Sequence, residues 1–388
     1  MKRFFKENSK VIICACVLLG LLAVLIACSP NRPQSTKPKG TPLAEGTGVV
    51  NETLFDTVSY IYTYAGDTSE DFDANCEEVW SILAEYHELF DIYHEYAGIN
   101  NLCTLNKNAG GEALEVSPKL IDFLKYANEL YVLTNGEMNI MMGAVLSLWH
   151  DARQGGTTIP SQEALTEASK HISFDSLEID EVKNTVRIAD KDARIDVGAL
   201  GKGYATEMAA KHLEGKGVTS YVLNIGGNIR LIGTKSNGEG WGTGINNPAY
   251  NYGTDYSRSP CIYRWMHKDA DKDKICDSCN TSQFVTKITI SNISCVTSGD
   301  YERYMTVDGV DYHHIIDKDT LMPADYFSSI TILTKNSGLA DALSTALFCM
   351  SYEDGLALVN KIGNVDVLWV RKDGTMEMTQ GFEARLME

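Results

Sequence analysis

Residues 195–207 read IDVGALGKGYATE. A strand ends on Asp196, Gly198, Gly201 and Gly203 keep the following turn thin, and a helix is expected from Tyr204. Glycine lets a backbone approach a ligand closely, and a helix N-terminus favours phosphate. Lys202 adds a mobile positive charge. The same pattern also serves as a plain strand-to-helix connection. In residues 338–350, GLADALSTALFCM, Asp341 and Thr345 lie four apart on one helical face. A carboxylate beside a hydroxyl offers hard oxygen ligands suited to Mg²⁺, which keeps few protein ligands and leaves room for water and phosphate. An aspartate near a helix N-terminus, with Thr345 on a packed face, is the structural alternative. Residues 297–324 end a strand on Thr297-Ser298-Gly299-Asp300 and then gather His313, His314 and Asp317 before a turn. A histidine near neutrality can act as general base, and a hydrogen-bonded structural pair fits the same residues. In residues 134–152, Met138, Met141, Met142, Leu146, Leu148 and Trp149 form an apolar wall. Such a wall suits either a flat ring or a buried core.

The elements that must position these residues mix strands and helices without regular βαβ alternation, so the class is α+β. Residues 53–64 read as a strand, 71–90 as an amphipathic helix, and 118–133 as a helix with Ser117 as N-cap and Pro118 in its first turn. Ser161 caps a short helix to about Lys170. Strand patterns cover much of 172–194, 221–233, 242–245, 284–293, 304–307, 329–334 and 365–371, and helices 204–214, 339–350 and 353–362. Residues 249–283 are polar, aromatic and Cys-bearing, and read as an inserted loop.

The N-terminus places the chain. Lys2, Arg3, Lys6 and Lys10 precede an apolar run from Val11 to Ala27, which closes on Leu25-Ile26-Ala27-Cys28. A basic head, an apolar core and small residues before a cut make a signal peptide over residues 1–27, with Cys28 as a lipidated (palmitate-bearing) first mature residue. A single membrane span is the alternative. Residues 28–48, rich in Pro, Gly, Ser, Thr and Lys, read as a tether, and 49–388 as the globular domain. The expected location is therefore the extracytoplasmic face of a bacterial cell membrane, held to the bilayer by lipid. A net charge of −18 argues against nucleic acid and against direct binding to an anionic surface. It also requires local positive charge if a phosphorylated ligand is to bind. Cys76, Cys103, Cys261, Cys276, Cys279, Cys295 and Cys349 remain after Cys14, Cys16 and Cys28 are set aside, an odd number that argues against a dense disulfide framework.

Taken in order, these segments resemble the flavin transferase family often called ApbE, the FAD:protein FMN transferases, over about residues 50–385. The resemblance is carried by Asp196, Gly198 and Lys202 to Ala205; by Asn224, Gly226 and Gly227; and by Trp241, Gly244, Ile245 and Pro248. It is carried further by Thr297 to Tyr301, His314 to Asp317, and the unchanged Ala340 to Leu347. It implies an ApbE-like fold of mixed sheets with packed helices, an α-β roll or T-fold-like arrangement. It also implies Mg²⁺ held by the Ala199 carbonyl, Asp341 and Thr345. Flavin contacts are implied at Phe55, Tyr93, Glu137, Met138, Asn139, Asp196, Lys202, His314 and Ile315. The chain departs from the family wording at Glu137-Met138-Asn139, where Met stands for Phe and Asn for Asp, and at Asp91 to Gly98.

The reaction so implied is attack by a Ser or Thr hydroxyl of an exported or membrane flavoprotein, such as a redox subunit, on FAD, with AMP leaving. His314 is the candidate base and Asp317 or Asp300 the group that orients it. Two alternatives stay open: an FAD pyrophosphatase giving FMN and AMP, and a flavin-binding lipoprotein without chemistry. Outside the family pattern, residues 261–279 space Asp269, Asp271, Asp273 and Asp277 somewhat like a Ca²⁺ loop. Cys261, His267, Cys276 and Cys279 could instead hold Zn²⁺, and a metal-free loop is the third reading.

Overall fold

The structure is a computed structural model that describes residues 42–251 and 282–387. Residues 1–41, with the signal sequence and Cys28, and the loop at 252–281, with its proposed Ca²⁺ or Zn²⁺ ligands, lie outside the described residues.

The frame is an eight-stranded sheet whose spatial order follows the sequence. Its strands are β1 (Thr47–Asn51), β2 (Ser59–Thr63), β3 (Ser220–Ile225), β4 (Asn228–Gly233), β5 (Ser294–Gly299), β6 (Phe327–Thr334), β7 (Asp366–Arg371) and β8 (Met376–Met378). Every neighbouring pair is antiparallel. The run 221–233 is therefore two strands, because Gly226 and Gly227 both take positive φ (55° and 93°) and close a tight hairpin. β6 is buried along its whole length, so both sheet faces are covered.

Helices enter between the strands. α1 (Ser69–Phe90), α2 (Pro118–Leu133), α3 (Gly143–Gly155) and α4 (Gly201–Gly215) all fall between β2 and β3. α5 (Ser337–Ala346) and α6 (Tyr352–Ile362) fall between β6 and β7. The Ser117 hydroxyl accepts from Lys119 N–H at the start of α2, and Ser161 accepts from Ala164 N–H, so both expected caps form. Buried apolar residues of α1, α2 and α4 build the main core on one sheet face, joined by Ile61, Tyr221, Leu223 and Ile225. α5, α6 and β6 build a second core with Trp369 and Phe348. On the other sheet face, a hairpin of Trp241–Asn246 and Phe284–Ile290 packs on Leu333, Leu368 and Phe382. This is the α+β arrangement expected.

Two boundaries move. The fold reaches back at least to Pro42, ahead of the expected Val49: Leu43 is buried in the main core and its N–H donates to Asp67 O at 2.7 Å. The last third of the expected tether, residues 42–48, thus packs as part of the domain. α4 starts at Gly201 rather than Tyr204, so Lys202 sits in the first helical turn instead of in a loop. Glycine is a poor helix former, but here it is demanded by packing. A Cβ on Gly203 would lie 2.4 Å from Asp341 Cβ and 2.5 Å from Ser337 O, so α4 and α5 cross with no room for a side chain.

Candidate active site

That crossing builds one end of the site. Gly203 N–H, one of the orphan donors of the first turn of α4, donates to Asp341 Oδ2 at 2.8 Å. Asp341 is buried, and burial pushes its carboxyl above the usual range, opposed by the Lys202 charge, the Gly203 N–H and an Asn228 side-chain bond. Thr345, half-buried, follows one turn later on α5. Ala199 lies just ahead of Leu200, the N-cap of α4. The Asn228 Oδ1 atom is buried with no hydrogen-bond partner. The Asp341 carboxylate, bonded by an Asn228 side chain whose own oxygen is unsatisfied, is a hard oxygen ligand of the kind that suits Mg²⁺ and its waters, with the Thr345 hydroxyl and Ala199 carbonyl as the further oxygens the adjoining elements offer.

Behind this end the two helices are tied again. Glu207 Oε2, buried on α4, accepts from Ser337 N–H at 2.9 Å and so caps the start of α5. Arg230 on β4, fully buried, donates to Glu207 at 3.4 Å and to Glu214 at 2.7 Å. This pairing fixes the helix that carries Asp341.

The middle of the site is cationic. Asp196 accepts from Gly198 N–H at 2.8 Å, and burial raises its pKa against the nearby charges of His150, Arg153 and Lys202. Its own N–H donates to Ile140 O, and Gly143 N–H donates to Arg194 O, so the start of α3 lies alongside the Asp196 segment. On α3, Trp149 is buried against Tyr312 and donates through Nε1 to Leu321 O at 2.9 Å. This locks α3 against the segment that carries His314. Arg153, one turn past Trp149, and Arg303, from the turn after β5, reach the same place. Burial first, then the charges of His313, Arg303, Arg153 and Lys202, push the His314 pKa down to about 3.

His314 Nδ1 lies 3.3 Å from the Arg303 carbonyl oxygen. A carbonyl can only accept, so Nδ1 carries the proton and Nε2 keeps its lone pair. Among the described contacts, the partner of this ring is a backbone carbonyl, while the two carboxylates expected to orient it engage other groups. Asp317 Oδ1 accepts from Asp319 N–H (2.8 Å) and Thr320 N–H (2.9 Å), holding its own turn, and Asp300 pairs with Lys372 at 2.9 Å. The orienting group is the Arg303 backbone. His313 is structural: it is buried, with Nε2 on Ala324 O and Nδ1 accepting from Ile315 N–H.

The far end is looser. Tyr93, 55% exposed, stands over His150 with ring centroids 5.5 Å apart. Phe55 and Asp56 take left-handed backbone conformations (φ 56° and 50°), and Phe55 N–H donates to His87 Nδ1 at 3.2 Å. Asp56, Arg153, Arg303 and Asp196 all act electrostatically on the Tyr93 hydroxyl, which links this loop to the cationic middle. Three residues named as flavin contacts present no free side chain. Met138, 1% exposed, packs with Ile140 and Met141 in the main core, so the apolar wall is mostly interior. Ile315 packs in the second core. Asn139 has both amide ends committed, Nδ2 to Ile172 O and Oδ1 to Met141 N–H. Glu137 pairs with Lys318 at 3.2 Å, and burial raises its pKa.

Sequence reasoning missed His150, Arg153 and Arg303. The positive charge that an acidic protein needs was sought in a metal ion, a helix end and Lys202, whereas two arginines 150 residues apart in sequence also supply it. Outside the site, His171, Asp190 and Asp192 cluster, but His171 pairs with Asp190 at 2.7 Å and Lys191 with Asp192 at 2.6 Å.

A sequence profile described as the ApbE family matches residues 55–369. The FAD:protein FMN transferase of Treponema pallidum is 26% identical over 349 residues, covering 86% of this chain and 87% of that protein. The FAD:protein FMN transferase of Vibrio cholerae is 27% identical over 306 residues, covering 77% and 80%. Among solved structures, the ApbE protein of Thermotoga maritima aligns with a TM-score of 0.71 at 24% identity, covering 88% of this chain and 99% of that one.

Proposed function

The chain belongs to the ApbE family, and we propose that it is a Mg²⁺-dependent FAD:protein FMN transferase acting on a Ser or Thr hydroxyl of an exported or membrane flavoprotein. The observation that carries this reading is Asp341, a buried carboxylate held by Gly203 N–H beside Lys202. A carboxylate is kept in such a place when it meets a cation. Bound at Asp341, Thr345 and the Ala199 carbonyl, Mg²⁺ would neutralise charge on the FAD diphosphate.

The chain's own residues then do the following. The first turn of α4 and Lys202 bring positive potential to the phosphates. The acceptor oxygen bonds to the FMN-side phosphorus, the bond from that phosphorus to the bridging oxygen breaks, and AMP leaves with the electron pair. His314 Nε2, neutral and with its lone pair free, takes the hydroxyl proton. Burial holds its pKa down most and the neighbouring cations add to this; the phosphates of bound substrate would offset only the cationic part.

Purified protein mixed with FAD, Mg²⁺ and a Ser- or Thr-bearing acceptor peptide should add the mass of FMN to the peptide. AMP release at the same rate without acceptor would replace this reading with a pyrophosphatase, and retained FAD without AMP would replace it with a binding protein. We also place the protein on the extracytoplasmic face of the membrane through lipid on Cys28. Labelling with a palmitate analogue should mark the wild type and not Cys28→Ala.

A further inference from the structure

We propose that Arg153 is a substrate-binding residue that grips the diphosphate of FAD, with Arg303 as its partner across the site. This rests on the flavin-nucleotide reading above. Arg153 stands on α3, Arg303 on the turn after β5 and Lys202 on the first turn of α4, so three separate elements bring three cations around His314 and Asp196. None of the three has a carboxylate within ion-pair distance among the described residues, although acidic residues outnumber basic ones 52 to 34 in the chain.

Nη1 of Arg153 is buried and has no hydrogen-bond partner. A guanidinium nitrogen withdrawn from water and left unpaired, facing a second arginine, is destabilising until an anion arrives. A ligand with one negative charge leaves this cluster undercompensated. A diphosphate carries two charges and paired oxygens that match the planar fork of arginine. Arg153 is also the cation that continues from Lys202 toward Tyr93, so it lies between the Asp341 end and the exposed aromatic end. That is where a diphosphate with one phosphate at the metal end would continue toward the flavin. The helix that carries Arg153 is anchored one turn earlier by Trp149, through its bond to Leu321 O and its stacking on Tyr312.

The experiment compares FAD and riboflavin binding by quenching of flavin fluorescence, using the full-length protein with EDTA present so that the metal end does not contribute. R153Q should weaken FAD by about tenfold or more, the effect of losing a charge-assisted hydrogen bond, and leave riboflavin affinity unchanged. R153K should recover part of the loss. Arg303 is exposed, so R303Q keeps the fold and should show the same selective loss at smaller size. Equal weakening of FAD and riboflavin, or no weakening of FAD in either variant, overturns the proposal. Wild-type protein that binds FAD neither in EDTA nor with Mg²⁺ restored would instead overturn the flavin-nucleotide reading, a result distinct from a silent R153Q.

Discussion

The two ends of the site are built in opposite ways. At the Asp341 end, two helices cross so closely that only glycine fits, and buried groups hold one another: Gly203 to Asp341, Glu207 to Ser337, and Arg230 to Glu207. At the Tyr93 end, the parts are loops, one ring is 55% exposed, and Phe55 and Asp56 sit in a backbone region that non-glycine residues avoid. The first end is rigid because helix packing over-determines it. The second end holds local strain that only surrounding contacts maintain. The half proposed to hold the phosphates is therefore set by packing alone, and the half proposed to meet the flavin ring is where loop sequence can vary without disturbing the frame.

The largest effects should follow from attacking the rigid end. Asp341→Ala removes the carboxylate on which the proposed chemistry rests, and FMN transfer should fall by about two orders of magnitude or more. Transfer at the wild-type rate would sink the assignment. Gly203→Ala keeps every polar group but inserts a methyl 2.4 Å from Asp341 Cβ. Overpacking of this kind costs about 1–3 kcal/mol, and the helices must separate, so thermal unfolding should come at lower temperature and transfer should drop with it. An unchanged melting temperature would show that the crossing is softer than the structure has it.

The middle of the site should respond to pH. The His314 pKa is about 3 in the folded chain, against about 6.5 for free histidine. Between these values the unfolded chain binds a proton that the folded one does not, so stability falls as pH drops below about 6.5. Relative to His314→Gln, the wild type should lose about 2 kcal/mol between pH 7 and pH 5, at roughly 1.4 kcal/mol per pH unit. Parallel melting curves of the two proteins across this range would show that His314 titrates normally.

The same contrast explains what could be read from sequence. Ser117 and Ser161 announce their helices because capping is local, and Ala340 to Leu347 announces Asp341 and Thr345 because both lie on one helical face. Gly203 was legible as a glycine near a turn, but its reason, a second helix 138 residues further on, was not. Arg153 and Arg303 left no local signal, since only the packing of α3 on the segment around Tyr312 and Leu321 makes them neighbours. Met138 was ambiguous in sequence for a related reason. An apolar run carries no mark that tells a ligand-facing wall from the interior, and topology turned this one inward.

The smallest effect concerns the departure at Asn139, where the family wording has Asp. The structure supplies a reason for the amide. Asn139 Nδ2 donates to Ile172 O at 3.0 Å while Oδ1 accepts from Met141 N–H at 2.9 Å, so the side chain joins two segments through one donor and one acceptor. Aspartate keeps the acceptor and loses the donor, setting a carboxylate against a carbonyl. Asn139→Asp should therefore destabilise the fold by about 1 kcal/mol, the worth of one hydrogen bond, with little change in FAD affinity. The shift should be read as a modest fall in melting temperature beside an unchanged flavin-quenching titration. Tighter FAD binding at an unchanged melting temperature would mean that the side chain serves the ligand rather than the loop. The exposed end would then owe its divergence to binding rather than to packing.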